Sequence, residues 1–205
     1  MGIKRLISRT YQKFSKWTFE TGPLPKKGIV IGVYHTSYWD GWFMLMALWD
    51  AGVPFKFLVK DSLAKGVTGP IIRAIGGVAV DRSRTTGMVD GIVGQLAELD
   101  EFQLVIAPEG TRKKKDRWKS GFWHIAHQSG LPVTLAFIDS TRKVYGWRDS
   151  MEISGDMKAD MDHIREYYSD MSGFHPENNT PPLLRGEDDE SLPGHPKRDP
   201  GTPLN

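Results

Sequence analysis

An α/β fold, with a mostly parallel central sheet flanked by helices, is what this sequence predicts, on three observations. Apolar runs of strand length recur at 28–34, 55–60, 77–81, 103–107 and 132–138. Stretches of helical periodicity alternate with them. Several runs are apolar throughout, as strands are when both faces of a parallel sheet are covered. With 205 residues and 39% hydrophobic content, the chain can build one sizeable core, and one domain is expected.

Residues 3–18 predict a basic amphipathic helix. Ile3, Leu6, Ile7, Tyr11, Phe14, Trp17 and Thr18 share one arc, with Arg5, Arg9, Lys13 and Lys16 opposite. Such a face suits either a lipid surface or the protein's own core. Gly22-Pro23-Leu24-Pro25 ends it, and the first strand follows at 28–34. The apolar run 41–49 reads as a buried helix that stops near Gly52-Val53-Pro54. After strand 55–60 the chain breaks at 66–70, then gives a short helix at 71–75 and a strand at 77–81. Residues 86–99 suit an amphipathic helix weakened by Gly87, Gly91 and Gly94. Strand 103–107, helix 120–129 and strand 132–138 follow, then two edge strands within 142–154 and a last helix over 158–171. Seven of the 13 prolines lie beyond residue 171 with few large apolar residues, so 172–205 reads as a disordered tail.

Composition removes several function classes. With no cysteine there are no disulfides, thiolate metal sites or cysteine nucleophiles. No apolar run approaches the roughly 20 residues that span a bilayer, and no signal-peptide pattern opens the chain. The net charge of +2 conceals an asymmetry: residues 1–171 hold 24 basic against 19 acidic side chains.

Chemistry concentrates at the ends of three strands, which a parallel sheet brings to one edge. His35-Thr36-Ser37-Tyr38-Trp39-Asp40 follows the first strand, Asp81-Arg82 the third, and Pro108-Glu109-Gly110-Thr111-Arg112 the fourth. Asp40 stands three residues after Ser37, a capping-box spacing, so it serves either to start the helix or to orient His35 as a base. Residues five apart on a helix diverge by about 140°, so a His35–Asp40 contact requires His35 to lie in the turn before it. Arginines at such an edge suit a phosphate, although Arg82 has Asp81 and Glu109 as alternative partners. Residues 112–119 hold six basic groups and one acid, a pattern for anionic lipid, another phosphate-bearing ligand, nucleic acid or plain solvation. His124 and His127 have no carboxylate pattern beside them, and a metal is not expected. No Gly-x-Ser-x-Gly elbow is present, which disfavours a serine hydrolase.

The sequence resembles the glycerolipid, or lysophosphatidic-acid, acyltransferases. His35, Ser37 and Asp40 match that family's His-x-Ser-x-x-Asp block, and Gly76 or Gly77 through Arg82 match its glycine–strand–arginine block. Pro108 to Arg112 match Pro-Glu-Gly-Thr-Arg without substitution, and Leu131-Pro132-Val133 matches the proline-led strand. The resemblance covers roughly 28–140, but the fourth block often carries a second proline where this chain has Leu135 or Ala136. Many members also have longer apolar N-terminal anchors.

The resemblance implies His35 as the base and Asp40 as its orienter. It implies an acceptor-phosphate site built from Arg112, Glu109, Gly110, Thr111, Arg82 and Lys60. It implies a fatty acyl transfer from acyl-CoA or an acyl-carrier-protein thioester to a lysophospholipid hydroxyl, with that thioester as co-substrate and no cofactor. Lysophosphatidic acid (1-acylglycerol-3-phosphate) is the expected acceptor, giving phosphatidic acid. Another lyso-lipid, such as an amino-acid-linked one, or non-catalytic lipid binding on the same fold, are the alternatives. Residues 1–20 become a membrane-surface helix, 21–171 the acyltransferase domain and 172–205 the tail. Peripheral attachment to the cytoplasmic face of a membrane is expected through 3–18 and 112–119, with no nucleic-acid partner.

Overall fold

The structure, a computed structural model, describes residues 2–60, 69–80, 94 and 100–188, with backbone alone for Lys60 and 78–80. A seven-stranded sheet of order β1-β7-β6-β2-β5-β3-β4 organises them. The strands are β1 (Thr18–Thr21), β2 (Lys27–Val33), β3 (Phe55–Lys60), β4 (Gly77–Val80), β5 (Phe102–Ile106), β6 (Val133–Asp139) and β7 (Val144–Met151). All neighbouring pairs run parallel except the β6–β7 hairpin. Around the sheet lie helices α1 (Ile3–Phe14), α2 (Trp39–Ala51), α3 (Gly69–Ala74), α4 (Gly121–Ser129) and α5 (Met157–Tyr168).

The central strands are apolar throughout because each of their faces has a cover. Ile29, Ile31, Leu104 and Leu135 pack against Phe122 and Trp123 of α4 and Met161, Ile164 and Tyr168 of α5. On the other face Val30, Val105 and Ile138 meet Phe43, Met46 and Leu48 of α2. Burying each such side chain stabilises the fold by about 1.5–3 kcal/mol. Helix α2 is apolar nearly all round because the sheet covers one side and α1 packs on another.

Three expectations need correction. The first helix ends at Phe14, with Ser15 as its C-cap, and Thr18–Thr21 form a short edge strand beside β7. A four-residue strand next to an amphipathic pattern leaves little periodic signal of its own. Residues 142–154 supply one strand, which fills the place between β6 and β1, and not two. Finally, disorder was expected from Ser172, yet 172–188 packs on the body through two 3-10 turns, Pro176–Asn178 and Arg185–Asp188. Leu184 is fully buried in the core there, and Arg165 of α5 binds both Pro182 O (2.9 Å) and Glu187 (2.7 Å). Residues 189–205 lie outside the described residues, as do Asp81-Arg82 and, apart from Gly94, the helix expected over 86–99.

The expected apolar face of α1 is divided. Tyr11 and Trp17 turn inward onto Phe43. What α1 buries most completely is Ser8, whose hydroxyl donates to Met46 O at 2.5 Å, while Arg9 pairs with Asp50 at 3.1 Å. Ile3, Leu6, Ile7 and Phe14 are left exposed, Ile3 at 74% and Phe14 at 79%.

Candidate active site

Parallel pairing of β2 with β5 sets the loops after these two strands side by side. The first carries His35 to Asp40, and the second carries Pro108 to Arg112. His35 precedes α2, as a contact with Asp40 requires, and its Nδ1 lies 3.2 Å from Asp40 Oδ2. The same oxygen accepts the Ser37 N–H at 2.7 Å, which is the reach-back half of a capping box. Ser37 Oγ accepts from Trp39 N only at 3.3 Å, and Tyr38 occupies the cap position, so the forward half is weak. One carboxylate therefore contacts both the start of the helix and the imidazole. With Nδ1–H directed at Asp40, Nε2 is the nitrogen left to accept a proton. Asp40 is buried, and its Oδ1 has no hydrogen-bond partner among the described residues.

The resemblance groups Glu109 with the phosphate-binding residues, but only 3% of it is exposed and its Oε1 accepts the His35 backbone N–H at 2.9 Å. Turned inward, it anchors the His35 main chain. Burial pushes its carboxyl up to about 7, against the lowering effect of the His35 N–H. The neighbouring Tyr34 hydroxyl is raised too, by burial first and by Glu109 second. Gly110, at φ 67°, makes the turn that sends the chain from Glu109 out to the surface, where L side chains are strained.

Arg112 sits at the rim with its guanidinium carbon 3.7 Å from the centre of the exposed Tyr38 ring. Among the described residues no ion pair with a carboxylate holds it. That stack was invisible in the sequence, where Tyr38 is an unassigned position within the first block. Lys60 ends β3 on the same edge of the sheet, whereas Arg82 falls outside the described residues. His124 and His127 lie on α4, where His127 stacks on Trp123 at 5.0 Å, and burial lowers the His124 imidazole.

Behind His35, Asp40, Thr111 and Arg112 a cavity of about 550 Å³ runs between α2 and the sheet. Its walls are apolar: Phe43, Met44, Leu48, Phe57, Val105 and Ile138 among others. Its floor holds small residues, Gly32, Ala107 and Ala136, and a Cβ added to Gly32 would meet no heavy atom within 4 Å. The block-four position at issue is therefore Ala136, since Leu135 packs into the opposite core.

An imidazole held by a buried carboxylate, opening onto an apolar cavity at the carboxyl edge of a parallel sheet, is the kind of place where α/β proteins bind a largely apolar ligand. A family model described as Acyltransferase matches residues 14–137, and the chain belongs to that family, the glycerolipid acyltransferases. It is thus an acyltransferase enzyme acting between an acyl donor and a lipid acceptor. Searches of curated proteins and of solved structures returned no match.

Proposed function

We propose that the enzyme transfers a fatty acyl group from an acyl-CoA or acyl-carrier-protein thioester to the free hydroxyl of a lysophospholipid, with 1-acylglycerol-3-phosphate as the acceptor and phosphatidic acid as the product. The observation that carries this reading is the His35–Asp40 pair, 3.2 Å apart, at the mouth of the apolar cavity with Arg112 on its rim. His35 Nε2 takes the acceptor hydroxyl's proton as that oxygen attacks the thioester carbonyl. The C–S bond then breaks and the thiolate leaves with the proton from the imidazolium. Asp40 holds the tautomer and stabilises the charged ring. First-turn N–H groups of α2 are the donors for the tetrahedral oxyanion, and Gly41 in that turn lines the cavity. Arg112 grips the acceptor's phosphate, assisted by Gly110, Thr111, Lys60 and Arg82. The fatty chain occupies the cavity. No cofactor is required beyond the thioester.

Purified protein given acyl-CoA and acceptors with and without phosphate tests each part. His35→Ala lowers turnover by roughly 10²–10⁴-fold in folded protein. Arg112→Ala raises KM for the phosphate-bearing acceptor by roughly 10–150-fold, the equivalent of a lost charged hydrogen bond of about 1.5–3 kcal/mol. An unchanged KM for the phosphate-bearing acceptor in Arg112→Ala, or an equal loss with the phosphate-free one, would reject the phosphate assignment. Near-wild-type turnover by His35→Ala would reject the base.

A further inference from the structure

We infer that residues 172–188, beyond the family match that ends at 137, position both catalytic loops at once, with Thr36 and Gly173 as the positioning contact beside His35. The inference deepens the proposed function and depends on it for its kinetic readout.

The segment starts from an anchor on the β6–β7 turn: Ser140 N donates to Ser172 O at 2.9 Å and Ser140 Oγ to Gly173 O at 2.6 Å. The chain then wedges against the turn that carries the proposed base. Gly173 is buried so closely that a Cβ there would lie 2.6 Å from Thr36 Oγ1 and 3.0 Å from Tyr34 Cβ. His175 N–H donates to Thr36 Oγ1 at 3.2 Å, and Thr36 is itself buried. Both neighbours of His35 in sequence are thereby held from the C-terminal side, while Glu109 holds its own N–H at 2.9 Å. Phe174, between these contacts, reaches the opposite layer, where it packs on Phe43 of α2 and on Trp17.

Downstream, the same segment grips the loop that follows Arg112. Lys115 N donates to Thr180 Oγ1 (3.0 Å) and Trp118 Nε1 to Thr180 O (3.0 Å). Trp118 N donates to Leu183 O (2.8 Å), and Arg117 reaches Leu184 O (3.0 Å). Buried Leu184 and the Arg165–Glu187 pair keep the segment fixed to α5. The distance between the proposed base and the proposed phosphate grip is therefore set partly by a third stretch of chain, which touches both loops and contributes no group to the chemistry.

Full-length Thr36→Val, Thr36→Ser and Gly173→Ala test this, beside wild type and His35→Ala. Thr36→Val removes the acceptor at equal shape, and Gly173→Ala pushes on the turn. Both should lower kcat on the order of tenfold to a hundredfold, as small misplacements of a reacting group do, with KM for either substrate little changed. Thr36→Ser, which keeps the acceptor, should restore kcat. Amide exchange at residues 34–40, read without substrate, should accelerate in the two impaired variants while β2 stays protected. Wild-type kcat and unchanged exchange at 34–40 in Thr36→Val would overturn the inference, even if Gly173→Ala fails to fold. If the wild type itself transfers no acyl group, the proposed function falls, and exchange at 34–40 still decides whether the segment braces the turn.

Discussion

Burial makes the Glu109 carboxyl a stability device with an unusual sign. Its proton affinity is raised from 4.5 to about 7, so between those pH values the folded chain holds a proton that the unfolded chain has lost. Stability therefore falls as pH rises through that window, by roughly 3 kcal/mol in all, and levels off above it. Below pH 4.5 both states are protonated and the effect is absent. Glu109→Gln keeps an oxygen for the His35 N–H but cannot ionise, so its denaturant midpoint should lose this downward slope between pH 5 and pH 7. A slope identical to wild type would assign the pH dependence elsewhere. The His35–Asp40 contact was legible because a turn before the helix is what lets two residues five apart meet, and both side chains stand in the first motif block. Glu109 was legible as a motif member but not in its role, since which way a carboxylate turns after a strand depends on what is buried around it. Tyr38 and Thr36 carried no signal, because one acts through its ring face and the other through a partner 139 residues away.

Among the elements, α2 and the strands beneath it set what the site can hold. The cavity exists because Gly32, Ala107 and Ala136 leave the sheet surface low under the first half of α2. Ala136→Phe should fill part of it, and competition between short- and long-chain acyl-CoAs should then shift toward the shorter donor. An unchanged preference would place the acyl chain outside this cavity. Gly32→Ala, which meets open space, should be mild. The strands themselves were easy to read, since continuous apolar runs follow directly from being covered on both faces. Strand β1 escaped notice because its place beside β7 is decided by pairing and not by its own four residues. The packed segment 172–188 escaped for a similar reason. It is short of apolar residues, and its hold on the body comes from backbone carbonyls and a few anchors such as Leu184.

For the whole molecule, we propose that the exposed apolar side of α1 meets a lipid surface. Ile3, Leu6, Ile7 and Phe14 point away from the body, and Tyr38 and Trp39 stand exposed at the start of α2, beside the cavity mouth. Basic residues of α1 and of 112–119 match anionic headgroups, each worth about 1 kcal/mol near such a surface. Replacing Ile3, Ile7 and Phe14 together by Ser should weaken co-sedimentation with vesicles of phosphatidylglycerol and phosphatidylcholine while leaving the fold intact. Undiminished binding would move the anchor elsewhere. The brace over the catalytic loops has a consequence for synthesis. Residues 172–188 leave the ribosome after every motif residue and after α1, and chains begin to fold as they emerge. A nascent chain that has reached α5 already carries α1 and its whole set of proposed site residues, yet lacks the segment proposed to brace the turn bearing His35. On the proposal that α1 meets lipid, a product cut short after Met171 should bind vesicles as the longer chain does while transferring acyl groups more slowly.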